Sequence, residues 1–384
     1  MKKLRKKIFL ITSNRSEYGI LKNFIKDIKK STKIKLDIIV TGSHLNRLYG
    51  YTISEIIKDK NKIFKKIKVN NLSSKFEKPY LQSSKIISRF SSLFSKNRPE
   101  LILVLGDRYE IFSAVIAGVF NNIPIGHIHG GEITEGSMDE IFRHSITKMS
   151  NYHFVATKNS KRRVIQLGES PKNVFFVGSL GVENIKKLKL FNRSELRKRF
   201  HINFAEKNIM FSYHPERQIK NISKNLNIIF STLKLLKNTN IFLSMPNSDE
   251  GSLIIFKKLK KILKKNQNFF FIKSMGNKNF LSMVKQMNLI VGNSSSGIIE
   301  APSLKIPTIN IGIRQKGREC AKSVFHCDSD KKKLFNLIMK ILYKKKNSFN
   351  YINPYEKKYS SKNIISILEN INLGENLNKK FHDL

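Results

Sequence analysis

Short apolar, β-branched runs alternate with longer stretches of helical spacing along most of the chain. The runs Ile8–Thr12, Lys35–Thr41, Leu101–Leu105, Ile123–Ile128, His153–Ala156 and Val174–Val177 have strand length. Strands separated by helical patterns read as a parallel sheet with crossover helices. A second series, Asn208–Ser212, Thr239–Ser244, Phe269–Lys273, Leu289–Val291 and Thr308–Ile311, repeats the scheme. The chain has 384 residues, and single cores stop growing at roughly 250–300. The pattern therefore predicts an α/β protein of two doubly wound, Rossmann-like domains. We place them at residues 1–178 and 179–350, with 351–384 a helical segment able to return to the first domain. The boundary is set by Gly178-Ser179-Leu180-Gly181, small residues between a strand and a Lys-rich helical stretch. Ser73–Ser95 reads as a loop and an amphipathic helix without chemistry.

Composition adds exclusions. A hydrophobic fraction of 40% excludes a disordered chain, and no apolar run reaches the ~20 residues of a membrane helix. The apolar part of Met1–Thr12 stops before a signal peptide would be complete and reads better as the first strand. Cys320 and Cys327 are the two cysteines, too few for a disulfide framework or a Cys-based metal site, and they fit a reducing cytoplasm. Lys and Arg number 72 against 28 Asp and Glu, giving +44. The lysines are scattered through nearly every segment, with no zinc-finger pattern, RNP signature or compact arginine-rich arm, so they read as solvated faces rather than a nucleic-acid surface. An assembly of like chains is the remaining partner expectation.

In doubly wound sheets, ligands bind beyond the carboxyl ends of the strands, so the residues after each run are where chemistry is sought. Gly292-Asn293-Ser294-Ser295-Ser296-Gly297 follows a strand and opens a helical stretch. Small residues and helix N–H groups there suit a diphosphate, although a Ser/Gly turn can be only a turn. Glu300, one turn later, could accept from ribose hydroxyls or simply complement the helix dipole. Asp107 sits at a strand-to-helix turn, as an N-cap or as a site carboxylate. His127, His129 and Glu132 end the neighbouring run, with Asp139, Glu140, Arg143 and His144 close behind. So many ionisable groups at adjacent strand ends suit an acid–base site. His127, His129 and Glu132 could instead ligate zinc, but only if the strand extends far enough for both histidines to share a face. Arg15 follows the first strand, either facing a diphosphate or merely exposed. His214, before Pro215, is a candidate phosphate ligand or acid–base group, or a surface turn.

Gly-Asp-Arg-Tyr-Glu-Ile-Phe at 106–112, His-Ile-His-Gly-Gly-Glu at 127–132 and Asp139-Glu140 before Arg143–Met149 together resemble the hydrolysing UDP-N-acetylglucosamine 2-epimerases of bacterial sialic acid synthesis. Arg163–Glu169, Gly178–Val182, His214-Pro215-Glu216, Gly292–Gly297 with Glu300, Pro302–Leu304 and Asn310–Gly312 with Arg314–Arg318 continue the match in order. The resemblance implies a glycosyltransferase-B-type fold, two Rossmann-like domains facing a central cleft, with a nucleotide-sugar substrate and no cofactor or metal. It implies removal of the C2 proton, loss of UDP to give a 2-acetamidoglucal, and addition of water to release N-acetylmannosamine. Asp107, Glu132 and Asp139, with His129 and His214, become the catalytic candidates. Arg15, His214, Ser294, Ser295, Ser296, Glu300 and Arg314 become the UDP-binding set. The chain departs from the wider family at His129, often a glutamate, at Ser13, often glycine, and at Ile313, often polar. The alternatives are the same chemistry on a diacetamido-trideoxyhexose nucleotide, for legionaminic-type acids, and a glycosyltransferase of this fold.

Overall fold

A computed structural model of the chain describes residues 5–47, 50–68, 79–216, 222–246, 251–272, 276–373 and 378–384. Lys273, and residues 73–78 of the stretch assigned no chemistry, lie outside them. Among the described residues the chain forms two compact units, Met1–Glu132 with Asp139–Asn184 and Tyr355–Leu384, and Ile133–Met138 with Ile185–Pro354.

The first unit holds β1 (Lys6–Thr12), β2 (Ile34–Val40), β3 (Ile63–Lys66), β4 (Leu101–Leu105), β5 (Ile125–Ile128), β6 (Tyr152–Val155) and β7 (Val174–Phe176). They pair in parallel in the order β3-β2-β1-β4-β5-β6-β7. The second holds β8 (Lys207–Ser212), β9 (Thr239–Ser244), β10 (Phe269–Ile272), β11 (Leu289–Gly292), β12 (Thr308–Ile311) and β13 (Val324–Cys327). Their parallel order is β10-β9-β8-β11-β12-β13. Winding reverses between β1 and β4 in one sheet and between β8 and β11 in the other, and at such points crossover loops part and leave room for ligands.

Both sheets are covered on two faces, which is why their central strands read as continuous apolar runs. Along β1, Ile8 and Leu10 enter one core with Phe24 and Ile25, while Phe9 and Ile11 enter the opposite core with Phe90 and Phe94. The second sheet is likewise covered on both faces, Ile209 and Phe211 of β8 facing one core and Met210 the other.

Two strands escaped the sequence reading, β3 and β13. Both are edge strands, and β3, Ile-Phe-Lys-Lys, buries none of its residues fully. Lysine on an edge strand blunts pairing with other chains and erases the hydrophobic signal. The first-unit boundary also differs, falling at 184 rather than 178. The helix Leu180–Lys187 straddles it: Asn184 donates to the carbonyls of Gly19 and Ile20, whereas Ile185 packs into a core of the second unit. Gly178 is small for another reason, since a Cβ there would lie 2.5 Å from the side chain of Lys357. Of the C-terminal segment, the described residues 355–373 and 378–384 belong to the first unit. Ile364 and Leu368 enter its core, and Lys6 Nζ donates to the carbonyls of Leu368, Glu369 and Ile371 at the end of helix Ser360–Asn370.

Candidate functional site

In the first unit the chain leaves β4 through Gly106, at φ +87°, and the next helix, Tyr109–Phe120, has Arg108 at its N-cap. Asp107 therefore precedes the cap, and its carboxylate forms an ion pair with Arg143 of helix Asp139–Met149. The N-cap reading of Asp107 falls away. Arg143 is 2% exposed. It donates from Nη1 to the Glu132 carbonyl at 3.0 Å and to Glu140 Oε2 at 2.7 Å. Burial works against its charge, but Asp107, Glu132 and Glu140 outweigh that and raise its pKa above the ordinary arginine value. Asp139, half-buried, begins the same helix, one turn before Arg143 and on its face.

β5 ends at Ile128, and His129 takes a left-handed conformation, φ +68°. The strand thus stops before the two histidines can share a face. His127 turns inward, with Nε2 2.7 Å from the Gly106 carbonyl and Nδ1 3.1 Å from Thr147 Oγ1. A carbonyl only accepts, so the ring carries its proton on Nε2. Burial pushes its pKa down to about 3. His129 instead meets Glu132, Nδ1 to Oε1 at 2.7 Å, with both residues buried. Between them Gly131 has φ +74°, and a Cβ there would stand 2.6 Å from the Ser160 carbonyl oxygen, so the turn that joins the pair requires glycine. Among the described residues no cluster of three or more His, Cys, Asp or Glu is arranged to hold a metal ion.

After β1, Arg15 opens helix Arg15–Ile28 behind an Asn14 N-cap. Among the described residues no hydrogen bond or ion pair holds its guanidinium. The loop before it is pinned by Glu17, which the sequence reading overlooked. Its carboxyl accepts from the Ser13 N–H (2.7 Å), the Ser13 hydroxyl (2.8 Å) and Asn14 Nδ2 (2.5 Å). Burial pushes Glu17 up to about 8. Asn14-x-x-Glu17 carries the spacing of a capping box, the one signal that could have found it.

The second unit is organised by another overlooked residue, Asn293, which is fully buried at the end of β11. Its Oδ1 accepts from the His214 N–H at 2.7 Å, and Nδ2 donates to the His214 carbonyl at 2.9 Å. Its own carbonyl accepts from Arg314 Nη1 at 3.2 Å and Gln315 Nε2 at 3.1 Å. One residue, through its side-chain amide on one side and its backbone carbonyl on the other, thus brings together the segments that follow β8 and β12, and with them the predicted residues His214 and Arg314. Glu216 completes the knot. It accepts from the backbone of Ile313 and Arg314, and burial raises its pKa. Gly312 makes room for it, because a Cβ there would lie 2.2 Å from Glu216 Oε1.

The serine turn differs from expectation. The helix it opens is one turn long, Ser296–Ile299, and Glu300 is its C-cap. The amides of Gly297 and Ile298 are used on the carbonyls of Ser294 and Ser295. A helix this short adds little dipole, so an anion there would rest on the half-buried Ser294, Ser295 and Ser296 themselves.

The family model for UDP-N-acetylglucosamine 2-epimerase matches residues 26–369. The chain belongs to that family. This epimerase is 38% identical to a polysialic acid biosynthesis protein P7 of Escherichia coli, over 99% of this chain and 98% of that one. It is 36% identical to a GDP/UDP-N,N'-diacetylbacillosamine 2-epimerase (hydrolyzing) of Campylobacter jejuni, over 99% and 100% of the two chains. A solved UDP-GlcNAc 2-epimerase of Neisseria meningitidis, bound to UDP-GlcNAc, matches with a TM-score of 0.77 at 20% identity, covering 94% of this chain and 99% of that one. That match shows a shared fold, the glycosyltransferase-B-like pair of parallel-sheet domains. Among the described residues of the epimerase no helix is long and apolar enough to cross a membrane.

Proposed function

We propose that this epimerase is a hydrolysing 2-epimerase that converts UDP-N-acetylglucosamine to UDP and N-acetylmannosamine, for sialic acid synthesis. The observation that carries the reading is the buried His129–Glu132 contact beside the Arg143–Asp107 ion pair, at the carboxyl ends of β5 and β4. In the first half-reaction a base takes the C2 proton. The C2–H electrons become the C1=C2 double bond, and the C1–O electrons leave with UDP. In the second half, water gives hydroxide to C1, and C2 receives a proton on the opposite face. Each half moves one proton at C2, so the reaction balances without a redox cofactor. A carboxylate in hydrogen-bond contact with an imidazole can pass that proton and store it. Glu132 with His129 takes this role. Asp107, held by Arg143, and Asp139 serve the leaving and entering oxygens. Arg15, His214, Ser294, Ser295, Ser296, Glu300 and Arg314 hold the nucleotide, where cations and hydroxyls suit a diphosphate. The E. coli relative, named for polysialic acid biosynthesis, supports the sugar assignment.

The Campylobacter relative, at 36% identity, favours a second reading, the same chemistry on a UDP-diacetamido-trideoxyhexose. Incubation with each sugar nucleotide in deuterated water tests both. Release of UDP and of N-acetylmannosamine carrying deuterium at C2 is expected from UDP-N-acetylglucosamine. Turnover of the diacetamido substrate alone moves the assignment to the second reading. Retention of the original C2 hydrogen refutes the elimination mechanism, and activity abolished by EDTA and restored by zinc refutes the metal-free reading.

A further inference from the structure

Helix Asp139–Met149 carries Arg143 near one end and is about 16 Å long, so a shift at its far end moves the whole rod. That far end is tied to residues remote in sequence. Glu169 is 2% exposed. It contacts Lys148 Nζ at 3.0 Å, His153 Nε2 at 3.0 Å and Lys379 Nζ at 2.6 Å. Burial by itself would raise the Glu169 pKa, but hydrogen bonds from His153 and Lys379 outweigh it and lower the value. Lys379 Nζ also donates to the carbonyls of Lys148 and Ser150, where the helix runs out of internal donors. Two neighbours reinforce the contact. The Phe381 ring lies under Lys148 Nζ, 4.5 Å from its centroid, and fills the space over Gly168, where a Cβ would stand 2.3 Å from the ring. The His382 N–H donates to the Gly168 carbonyl at 3.0 Å. Within the helix Thr147 Oγ1 touches His127 Nδ1, and one turn earlier Arg143 grips Asp107 and the Glu132 carbonyl.

We propose that Lys379 is a positioning residue for the reaction. Bound to Glu169 and to the last carbonyls of this helix, it makes residues 378–384 a strap that sets where Arg143 holds Asp107 and Glu132. The proposal rests on the acid–base reading of those two carboxylates. Misplacement of about 1 Å at reacting groups can cost up to ~10²-fold in rate, and loss of one of several ties should cost less.

The test compares the full chain with Lys379→Met and Lys379→Arg. Lys379→Met should lower kcat about tenfold while KM for the sugar nucleotide and UDP affinity stay within about twofold. Amide exchange should quicken in residues 139–150. Lys379→Arg, which keeps the charge and the carbonyl contacts, should recover most of the rate. Unchanged kcat in Lys379→Met with an active wild-type enzyme overturns the proposal. So does a loss of kcat and thermal stability together that Lys379→Arg does not rescue, because the contact is then merely structural. A wild-type chain that releases no UDP from either sugar nucleotide sinks the functional reading instead. Unchanged exchange in residues 139–150 of Lys379→Met then overturns the strap independently.

Discussion

At the sheet edge formed by β4 and β5, the groups that hold the site are ions. Buried Arg143 grips Asp107, Glu140 and the backbone of Glu132, whose side chain meets His129. At the edge formed by β8, β11 and β12, the organiser is the neutral amide of Asn293, helped by Glu216, whose ionisation burial opposes. The contrast fits what the proposed function asks of each edge, proton transfer at the first and diphosphate binding at the second. A group that gives and takes a proton must be held by partners whose field favours the right protonation state, and fixed ions in a dry setting provide that. A diphosphate brings its own charge, so its loops need only be kept in place. Neutral hydrogen bonds do this without competing with the ligand.

Arg143→Met should break the comparison most severely. It takes the arginine from the Asp107 and Glu140 carboxylates and the Glu132 carbonyl, Glu140 keeping His144, and removal of one member of a buried ion pair costs about 3–5 kcal/mol. Hydrogen exchange should locate that loss in the first unit and leave the second as protected as before. An unchanged denaturant midpoint would show the ionic net to be no part of the scaffold. Next comes Glu132→Gln, which keeps shape but removes basicity. It should lower kcat by at least ~10²-fold with a normal fold and little change in KM. Near-wild-type turnover strikes Glu132 from the mechanism and leaves Asp107, His129 or Asp139 as the base.

Asn293→Ala should weaken UDP binding through loss of the His214 placement, since the side-chain amide that holds His214 is removed while the backbone carbonyl that accepts from Arg314 is kept. The expected cost is about 1–3 kcal/mol, the penalty for buried polar groups left unpaired. The loss should read out in affinity more than in kcat. A fall in kcat alone would mean that the second edge takes part in proton transfer, and the division of labour would collapse.

The gentlest probe is pH. His127 and His44, pushed by burial to about 3 and about 4, and His153, also lowered, stay neutral in the fold. An unfolded chain protonates them below about 6.5, so the stability they contribute is complete above that pH and drains away as pH falls toward 4. Glu17, raised to about 8, acts oppositely between 4.5 and 8, but it is one group against three. The three histidines and Glu17 all belong to the first unit, so acidification from pH 7 to 5 should speed amide exchange there before it does so in the second. Simultaneous opening would contradict the assignment of these pKa shifts.

Strands were legible where both faces are buried, as in Leu101–Leu105, and invisible where an edge position let lysine replace the apolar pattern, as in β3. Candidate residues were legible where a residue type able to do chemistry stands at a strand end. Asp107, His129 and Glu132 come together, and so do His214 and Arg314. Residues that work by holding others gave no such signal. Asn293 looked like part of a serine-rich turn, and Arg143 stood among the ionisable groups near the strand ends with nothing to mark it as the residue that holds the others.

The amino-acid order by itself determined the alternation of strands and helices, the two doubly wound sheets and the strand ends at which the candidate residues stand. Those features depend on periodicity and on residues adjacent in the chain. Only the tertiary structure decided that His127 turns inward while His129 meets Glu132, since a single left-handed residue after β5 separates them. It alone decided that Arg143 is a buried clamp and that Lys379 reaches Glu169, 210 residues away (379 − 169). Such pairings depend on which surfaces the folded sheets and helices bring within hydrogen-bonding distance, and no local pattern carries that information.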